Sequence, residues 1–176
     1  ALWTLEVRGE LTSAAVARAL ESGDEWRQYH AIRASSGVLS TNSLLQILDT
    51  KKELAPRVVM QIAAALTPAA NDPKVRAALQ TALHEHLADP FVRQATVHAV
   101  SGSELEFIAE LAADPILQTQ SPANEALLAA LTAQAYRNLR GDLTSDEAAP
   151  QRILDLIAAI ESTKQEWQVI AMLNGL

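Results

Sequence analysis

The sequence predicts an all-α fold, a stack of helical hairpins wound into a right-handed α-α superhelix of about five helix pairs. Helix start and stop signals recur along the chain, and the apolar residues between them follow helical spacing. No sustained alternation of apolar and polar residues indicates a strand. At 176 residues the chain is long enough for one domain with a sizeable core. We predict a single repeat domain over residues 1–176.

Several helix starts are marked by a capping residue followed by proline. Asp72-Pro73 and Asp89-Pro90 each combine an N-cap with proline at the first helical position, where the missing N–H costs nothing. Ser121-Pro122 repeats this arrangement. Capping boxes of the form S/T-x-x-E are predicted at Ser103–Glu106, Thr144–Glu147 and Thr163–Glu166.

Eleven helices follow from these signals and from the apolar spacing between them. They are predicted over residues 1–8, 11–21, 25–36, 42–52, 55–66, 73–87, 90–101, 104–113, 122–140, 147–161 and 164–174. Pro150 falls inside the tenth, which is therefore predicted to become regular only from that residue onward. In the same helix Ile153, Leu156, Ile157 and Ile160 trace one apolar face, and we expect this face to be an apolar seam.

The odd-numbered helices form a repeating series. Four of them start at about residues 25, 55, 90 and 122, a spacing typical of stacked helical hairpins. Within the series, His30–Arg33, Gln61–Ala64 and Ala95–His98 align as equivalent segments. Each hairpin is apolar on more than one side, so it must stack on its neighbours to bury that surface.

Composition narrows the function classes. The net charge is −7, with 14 basic and 21 acidic residues, which argues against a nucleic-acid-binding surface. The absence of cysteine excludes disulfides, thiolate metal sites and covalent haem attachment within these residues. No apolar run is long enough to cross a bilayer and no signal peptide is visible, so the compartment stays undetermined.

Two clusters of polar residues could carry chemistry, and both have simpler interpretations. His84-Glu85-His86 lacks the four-residue histidine spacing of a helical zinc site and is expected to be a solvated helix end. Glu104, Glu106, Glu110 and Asp114 could form a paired-carboxylate site, but the first two are expected to favour the helix dipole from its first turn.

No nucleophile elbow, P-loop or dinucleotide-binding motif occurs in the chain. Asp89 and Arg93, four residues apart, are expected to bond adjacent repeats rather than to catalyse a reaction. Trp3, Trp26 and Trp167 are expected to be packed in the interior. We therefore predict no catalytic, cofactor-binding or metal-binding residue in this segment.

One set of positions is a candidate for contact with a partner. In the aligned segments, Tyr29 and Arg33 correspond to Gln94 and His98, and each pair lies four residues apart on one helix face. If these helices line the concave side of the stack, the four side chains point toward a partner protein. The alternative is an ordinary solvated face.

Several segments together carry a family resemblance. They are Ala1–Glu6, His30–Arg33, Gln61–Leu66, Asp89–Arg93, Glu104–Phe107 and Met172–Leu176. The chain resembles the HEAT-like helical-repeat region of large multidomain proteins of planctomycetes and related bacteria. In that family the HEAT repeats lie between a sugar-dehydrogenase-like β-propeller and a C-terminal c-type haem-binding domain.

The resemblance implies a non-catalytic scaffold or docking module within a larger, extracytoplasmic redox protein. It also implies that the chain is a fragment, with Ala1–Arg8 as the second helix of a pair. The haem-attachment motif C-x-x-C-H is absent, so haem binding does not carry over to this segment. Two alternatives stay open: a HEAT-type nucleic-acid enzyme such as a DNA glycosylase, which the acidic charge disfavours, and a HEAT protein of the phycobilisome-lyase kind.

Overall fold

The computed structural model describes residues 2–50, 54–142, 149–161, 163 and 165–176, and these hold eleven α-helices and no β-strand. The prediction of an all-α fold is confirmed. The helices are α1 (Leu2–Val7), α2 (Ser13–Leu20), α3 (Glu25–Ala34), α4 (Thr41–Thr50), α5 (Pro56–Leu66), α6 (Pro73–His86), α7 (Pro90–Ala99), α8 (Glu104–Ala112), α9 (Pro122–Asp142), α10 (Ala149–Glu161) and α11 (Glu166–Leu173). Their bounds agree closely with those predicted, and α10 begins one residue before Pro150.

The odd-numbered helices pack against one another in succession. Contacts join α1 to α3, α3 to α5, α5 to α7, α7 to α9 and α9 to α11. Each even-numbered helix packs against the odd-numbered helix that follows it, from α2 with α3 to α10 with α11. The odd-numbered helices thus form one continuous row of contacts that begins with α1, and each even-numbered helix packs against this row.

The odd row carries much of the core because its inner members have neighbours on both sides. On α5, Val58, Val59, Ile62, Ala63 and Leu66 are all buried. These residues span an arc of about 140° on the helix, and α5 packs against α3, α4, α6 and α7. Small and branched side chains at these positions let the helices approach closely.

Burial follows the internal alignment. Arg33, Ala64 and His98 are exposed at the ends of the three aligned segments. The two residues before each of them are buried. The three helices α3, α5 and α7 therefore present equivalent positions to solvent.

Polar side chains join helices that are distant in sequence. The buried Arg76 of α6 donates from Nε to both carboxylate oxygens of Glu110 on α8, at 2.9 and 3.0 Å. The hydrogen bond to Glu110 raises the pKa of Arg76 against the opposing effect of burial. Asn138 of α9 donates to the buried Glu104 of α8 at 2.6 Å. Both pairs lie 34 residues apart in the chain.

Asp114 is a second junction of this kind. Its carboxylate accepts from the backbone N–H of Ile116 at 2.7 Å and from Gln80, and contacts Nε2 of His84 at 2.8 Å. Burial of Asp114 opposes its ionisation, but these hydrogen bonds outweigh burial and lower its pKa. The carboxylate therefore links α6 to the turn after α8 in its charged form.

The predicted caps are confirmed in part. Asp72 and Asp89 accept from the first backbone N–H groups of α6 and α7, and Ser121 accepts from the N–H of Asn124. Ser103 caps no N–H, because its hydroxyl donates to Asn71 at 2.6 Å. Thr163 donates to the carbonyl of Ala159 and ends α10 instead of starting α11. The predicted box at Thr144–Glu147 lies outside the described residues.

The predicted apolar seam of α10 is narrower than the spacing suggests. Leu156 and Ile160 are buried, whereas Ile157 is 46% exposed. The expectation that Ile157 lies inside this seam is wrong. Leu156 and Ile160, four residues apart, form the buried line, and Ile157 lies beside it.

A charged side chain on α10 should therefore lower the free energy of unfolding strongly at the buried position 156 and only slightly at the exposed position 157. We expect Leu156→Asp to lower the free energy of unfolding by about 3 kcal/mol or more, because it buries an unpaired carboxylate. Ile157→Asp is the matched control and should cost less than about 1 kcal/mol. Urea titration followed by circular dichroism measures both, and equal losses would contradict the burial pattern of α10.

Acidification should weaken the junction at Asp114. Because its pKa is lower in the folded state, Asp114 stabilises the fold above the ordinary aspartate pKa of 3.8, and this contribution is lost as pH falls through the folded value. Asp114→Asn should cost roughly 1.5–3 kcal/mol at pH 7, the size of a hydrogen bond to a charged group. Urea unfolding across the pH range should show the two proteins converging in acid; a constant difference would refute this account.

Candidate interaction surface

The odd-numbered helices α3, α5, α7 and α9 share a side that the even-numbered helices leave uncovered, and we call it the odd-helix face. It is defined by Trp26, Tyr29 and Arg33 on α3, Arg57 and Ala64 on α5, Gln94 and His98 on α7, and Ala130, Ala133 and Arg137 on α9. All of these residues are exposed or partly exposed.

An aromatic cluster lies at the α1 and α3 end of this face. Trp26 stacks with His30 at a centroid distance of 6.1 Å and meets Tyr29 edge-on at 6.0 Å. Trp3 of α1 meets His30 edge-on at 6.0 Å. Trp3 is 40% exposed and Trp26 is 56% exposed, so the expectation of interior packing is wrong for both. Trp167 is partly buried, and its indole N–H donates to Gln165.

An arginine side chain lies over each of the two exposed tryptophan rings. The guanidinium carbon of Arg57 lies 4.0 Å from the ring centroid of Trp26, and that of Arg33 lies 5.4 Å from Trp3. Both distances are within the range of cation–π attraction. Arg57 also pairs with Glu25 at 3.3 Å, and no ion pair joins Arg33 to a carboxylate of the described residues.

A polar atom is enclosed within the cluster. Nδ1 of His30 is buried and has no hydrogen-bond partner among the described residues. The ring is surrounded by Trp3, Trp26 and Tyr29, which offer it faces and edges rather than acceptors. The cluster is therefore held by ring contacts rather than by hydrogen bonds to the imidazole.

A groove separates α7 from α9 at the other end of the face. It has a volume of about 300 Å³ and is open to solvent. Val97, Ala126, Ala130 and Ala133 form its apolar floor, because alanines on α9 leave space opposite α7. Arg93, Gln94, His98, Gln134 and Arg137 stand around this floor.

The four residues predicted to face a partner fall into two places on this surface. Tyr29 and Arg33 belong to the aromatic cluster, whereas Gln94 and His98 line the groove. Helix α5 lies between the two pairs, so they share a side of the molecule without touching. Their role in binding stays a prediction.

Sequence reasoning missed Trp26, His30 and Arg57 as members of this surface. A signal for the first two was present, because Trp26, Tyr29, His30 and Arg33 recur at i, i+3, i+4 and i+7 on one stripe of α3. Arg57 carried no such signal. Its position over Trp26 depends on the offset between α3 and α5, which helical spacing does not supply.

The acidic residues considered as a possible paired-carboxylate site make structural contacts. Glu110 is paired with Arg76 and does not form a carboxylate pair with Glu106. Glu104 lies in the first turn of α8 as expected, yet it is buried, and burial raises its pKa against the hydrogen bonds it accepts. His84 is exposed and contacts Asp114, which ties this end of α6 to the turn after α8.

Asp89 and Arg93, expected to bond adjacent repeats together, each make local contacts instead. Asp89 caps α7 by accepting from the N–H groups of Phe91 and Val92. Arg93 donates to the carbonyl of Leu87 at 2.6 Å, just beyond the end of α6. The pair thus fastens the turn between α6 and α7 and offers no acid–base arrangement.

Comparison with models of known protein families, with curated proteins and with solved structures finds no match to the chain. Within the described part of the chain, no three histidine, aspartate or glutamate side chains are gathered as a metal site requires. The described helices also lack one of the length and apolar character needed to cross a bilayer.

The aromatic cluster should contribute less to folding than the core beneath it. We expect Trp26→Ala to lower the free energy of unfolding by about 1 kcal/mol, because over half of the ring is already exposed. Ile32→Ala, on the same helix and 1% exposed, is the control and should cost about 3 kcal/mol despite the smaller side chain. Chemical denaturation compares them; a larger loss for Trp26→Ala would show that the cluster is a folding element.

Proposed function

We propose that this chain is a HEAT-like right-handed α-α superhelix that acts as a non-catalytic scaffold or docking module for protein. The observation that carries the proposal is the packing of the odd-numbered helices in one uninterrupted row, each flanked by its even-numbered partner. Such a row is how helical repeats build an extended binding surface.

The spacing of the polar links supports a repeat architecture. Arg76–Glu110, Gln80–Asp114 and Glu104–Asn138 are each 34 residues apart, close to the length of one helical hairpin repeat. The equivalent exposure of Arg33, Ala64 and His98 has the same origin. Side chains one repeat apart therefore occupy neighbouring places in space.

The odd-helix face supports a docking role. It displays tryptophan, tyrosine and arginine, the side chains that most often anchor protein interfaces. It contains no arrangement of acid, base and nucleophile, and its groove is shallow and open. On the resemblance alone, the proposal extends to a place within a larger, extracytoplasmic multidomain redox protein.

Blocking the odd-helix face should abolish peptide binding. We expect the chain to bind members of an immobilised array of extended synthetic peptides, and Ala64→Trp to weaken this binding by about tenfold or more by filling the middle of the face. Ala77→Trp, on the exposed side of α6, is the matched control and should bind as the unmodified chain does.

Circular dichroism establishes that both variants are folded. Absence of peptide binding, or equal loss in both variants, would contradict a docking role for this face. Tight, salt-sensitive binding of duplex DNA would instead favour a nucleic-acid function.

A further inference from the structure

We propose that the odd-helix face binds an extended acidic polypeptide segment, whose carboxylates pair with Arg33, Arg57 and Arg137 and whose apolar side chains cover the aromatic cluster and fill the α7–α9 groove. This inference rests on the proposed docking function and specifies the chemistry of the partner.

The charge of this face is opposite to that of the chain. The residues that define the face include three arginines, Arg33, Arg57 and Arg137, and no acidic residue. The whole chain has a net charge of −7, and α8 in the even row carries three glutamates and no basic residue. A surface that differs in sign from its own protein favours a partner of complementary charge.

The few carboxylates near the face are already occupied. Glu25 pairs with Arg57, and Asp24 and Asp89 accept from the backbone N–H groups that start α3 and α7. At the far edge, Glu125 accepts from Gln120. Arg137 donates to the side chain of Gln134 at 2.7 Å. A guanidinium has five N–H donors, so Arg57 and Arg137 keep N–H groups for an incoming carboxylate.

The two arginines that lie over tryptophan rings keep N–H donors for a carboxylate. A guanidinium that lies over an aromatic ring uses its flat face for that contact, and its N–H donors remain in the plane of the group. The side chain of Arg57 is 36% exposed, and Arg33 is exposed above Trp3. Both can thus donate two parallel hydrogen bonds to an incoming carboxylate while keeping their ring contact.

The α7–α9 groove adds an apolar requirement. Its alanine and valine floor, at about 300 Å³, accommodates one large apolar side chain, and the residues around it include Arg93, His98 and Arg137 and no acid. The exposed Trp3 and Trp26 offer a second apolar contact at the other end of the face. The partner therefore alternates acidic and apolar residues rather than being uniformly charged.

The size of the face sets the length of the partner. Packed helices lie about 8–10 Å apart, so the three steps from α3 to α9 span about 25–30 Å. An extended chain rises about 3.3 Å per residue, so about eight or nine residues cover this distance. A short segment of a protein or a loop of a neighbouring domain suffices.

A single-stranded nucleic acid fits this surface less well, although it too is anionic. Base stacking needs an uncovered aromatic face, and Arg57 already lies over Trp26 while Arg33 lies over Trp3. The strongly acidic remainder of the chain also repels a polyphosphate at long range, whereas a short peptide carries few charges.

The test uses a fluorescein-labelled peptide of alternating glutamate and leucine, about nine residues long. Fluorescence anisotropy at low salt should show binding that weakens as salt is added. The double variant Arg33→Glu, Arg57→Glu should reduce affinity by about tenfold or more. Arg18→Glu, an exposed arginine on α2 in the even row, is the matched control and should leave affinity unchanged.

Other outcomes overturn the inference separately from the docking function. Circular dichroism of the double variant should match that of the unmodified chain, which shows that the loss of binding is not caused by unfolding. A peptide of alternating lysine and leucine tests the same charge preference without mutation and should not bind. Array peptides that bind at the face but are neutral or basic would overturn the acidic partner and leave the docking function standing. Binding of an oligothymidylate with higher affinity than the acidic peptide would assign the face to nucleic acid. Self-association in analytical ultracentrifugation that the peptide suppresses would assign it to a second copy of the chain.

Discussion

The contact between successive odd-numbered helices is the constraint on which the other features depend. A helix in the middle of that row contacts an odd-numbered helix on each side and also even-numbered helices, so it must bury a wide apolar arc. Helices α5 and α7 meet this demand with Val, Ile and Ala at nearly every inward position. The part of each helix that remains exposed is narrow. Its polar residues therefore lie next to the exposed polar residues of the following odd-numbered helix.

This arrangement accounts for the two kinds of polar residue in the molecule. Those that join successive helix pairs, such as Arg76, Glu104 and Asp114, are partnered across one repeat length and fix the offset of consecutive pairs. Those on the odd-helix face, such as Arg33 and Gln94, have no such duty and remain open to solvent. Burial distinguishes a structural polar residue from one that is free to bind.

The helices were predictable because their signals are local. Asp72-Pro73 and Asp89-Pro90 cap their helices with atoms from within three residues, and no knowledge of the tertiary structure is needed. The outcome at Ser103 and Thr163 differed because each hydroxyl found another acceptor, one of them 32 residues away in Asn71. The pairing of Glu110 with Arg76 was equally beyond local rules.

The candidate surface was predicted only in outline. Helical spacing placed Tyr29 with Arg33 and Gln94 with His98, and the repeat alignment placed both pairs on one side. It did not show that Trp3 and Trp26 remain exposed, because an aromatic residue among apolar neighbours has the same pattern whether or not another helix covers it. Exposure here depends on where the row of helices presents its open side.

The stacking of Arg57 on Trp26 gives the molecule an optical property of its own. The chain has three tryptophans, and two of them, Trp3 and Trp26, lie partly in water beside a guanidinium group. Indole emission moves to shorter wavelength when its surroundings become drier, so any molecule that settles on this end of the face alters the intrinsic fluorescence. Binding at this end of the face can therefore be followed by intrinsic fluorescence without a label. Trp167 lies on α11 at the opposite end of the row, and its emission should stay constant.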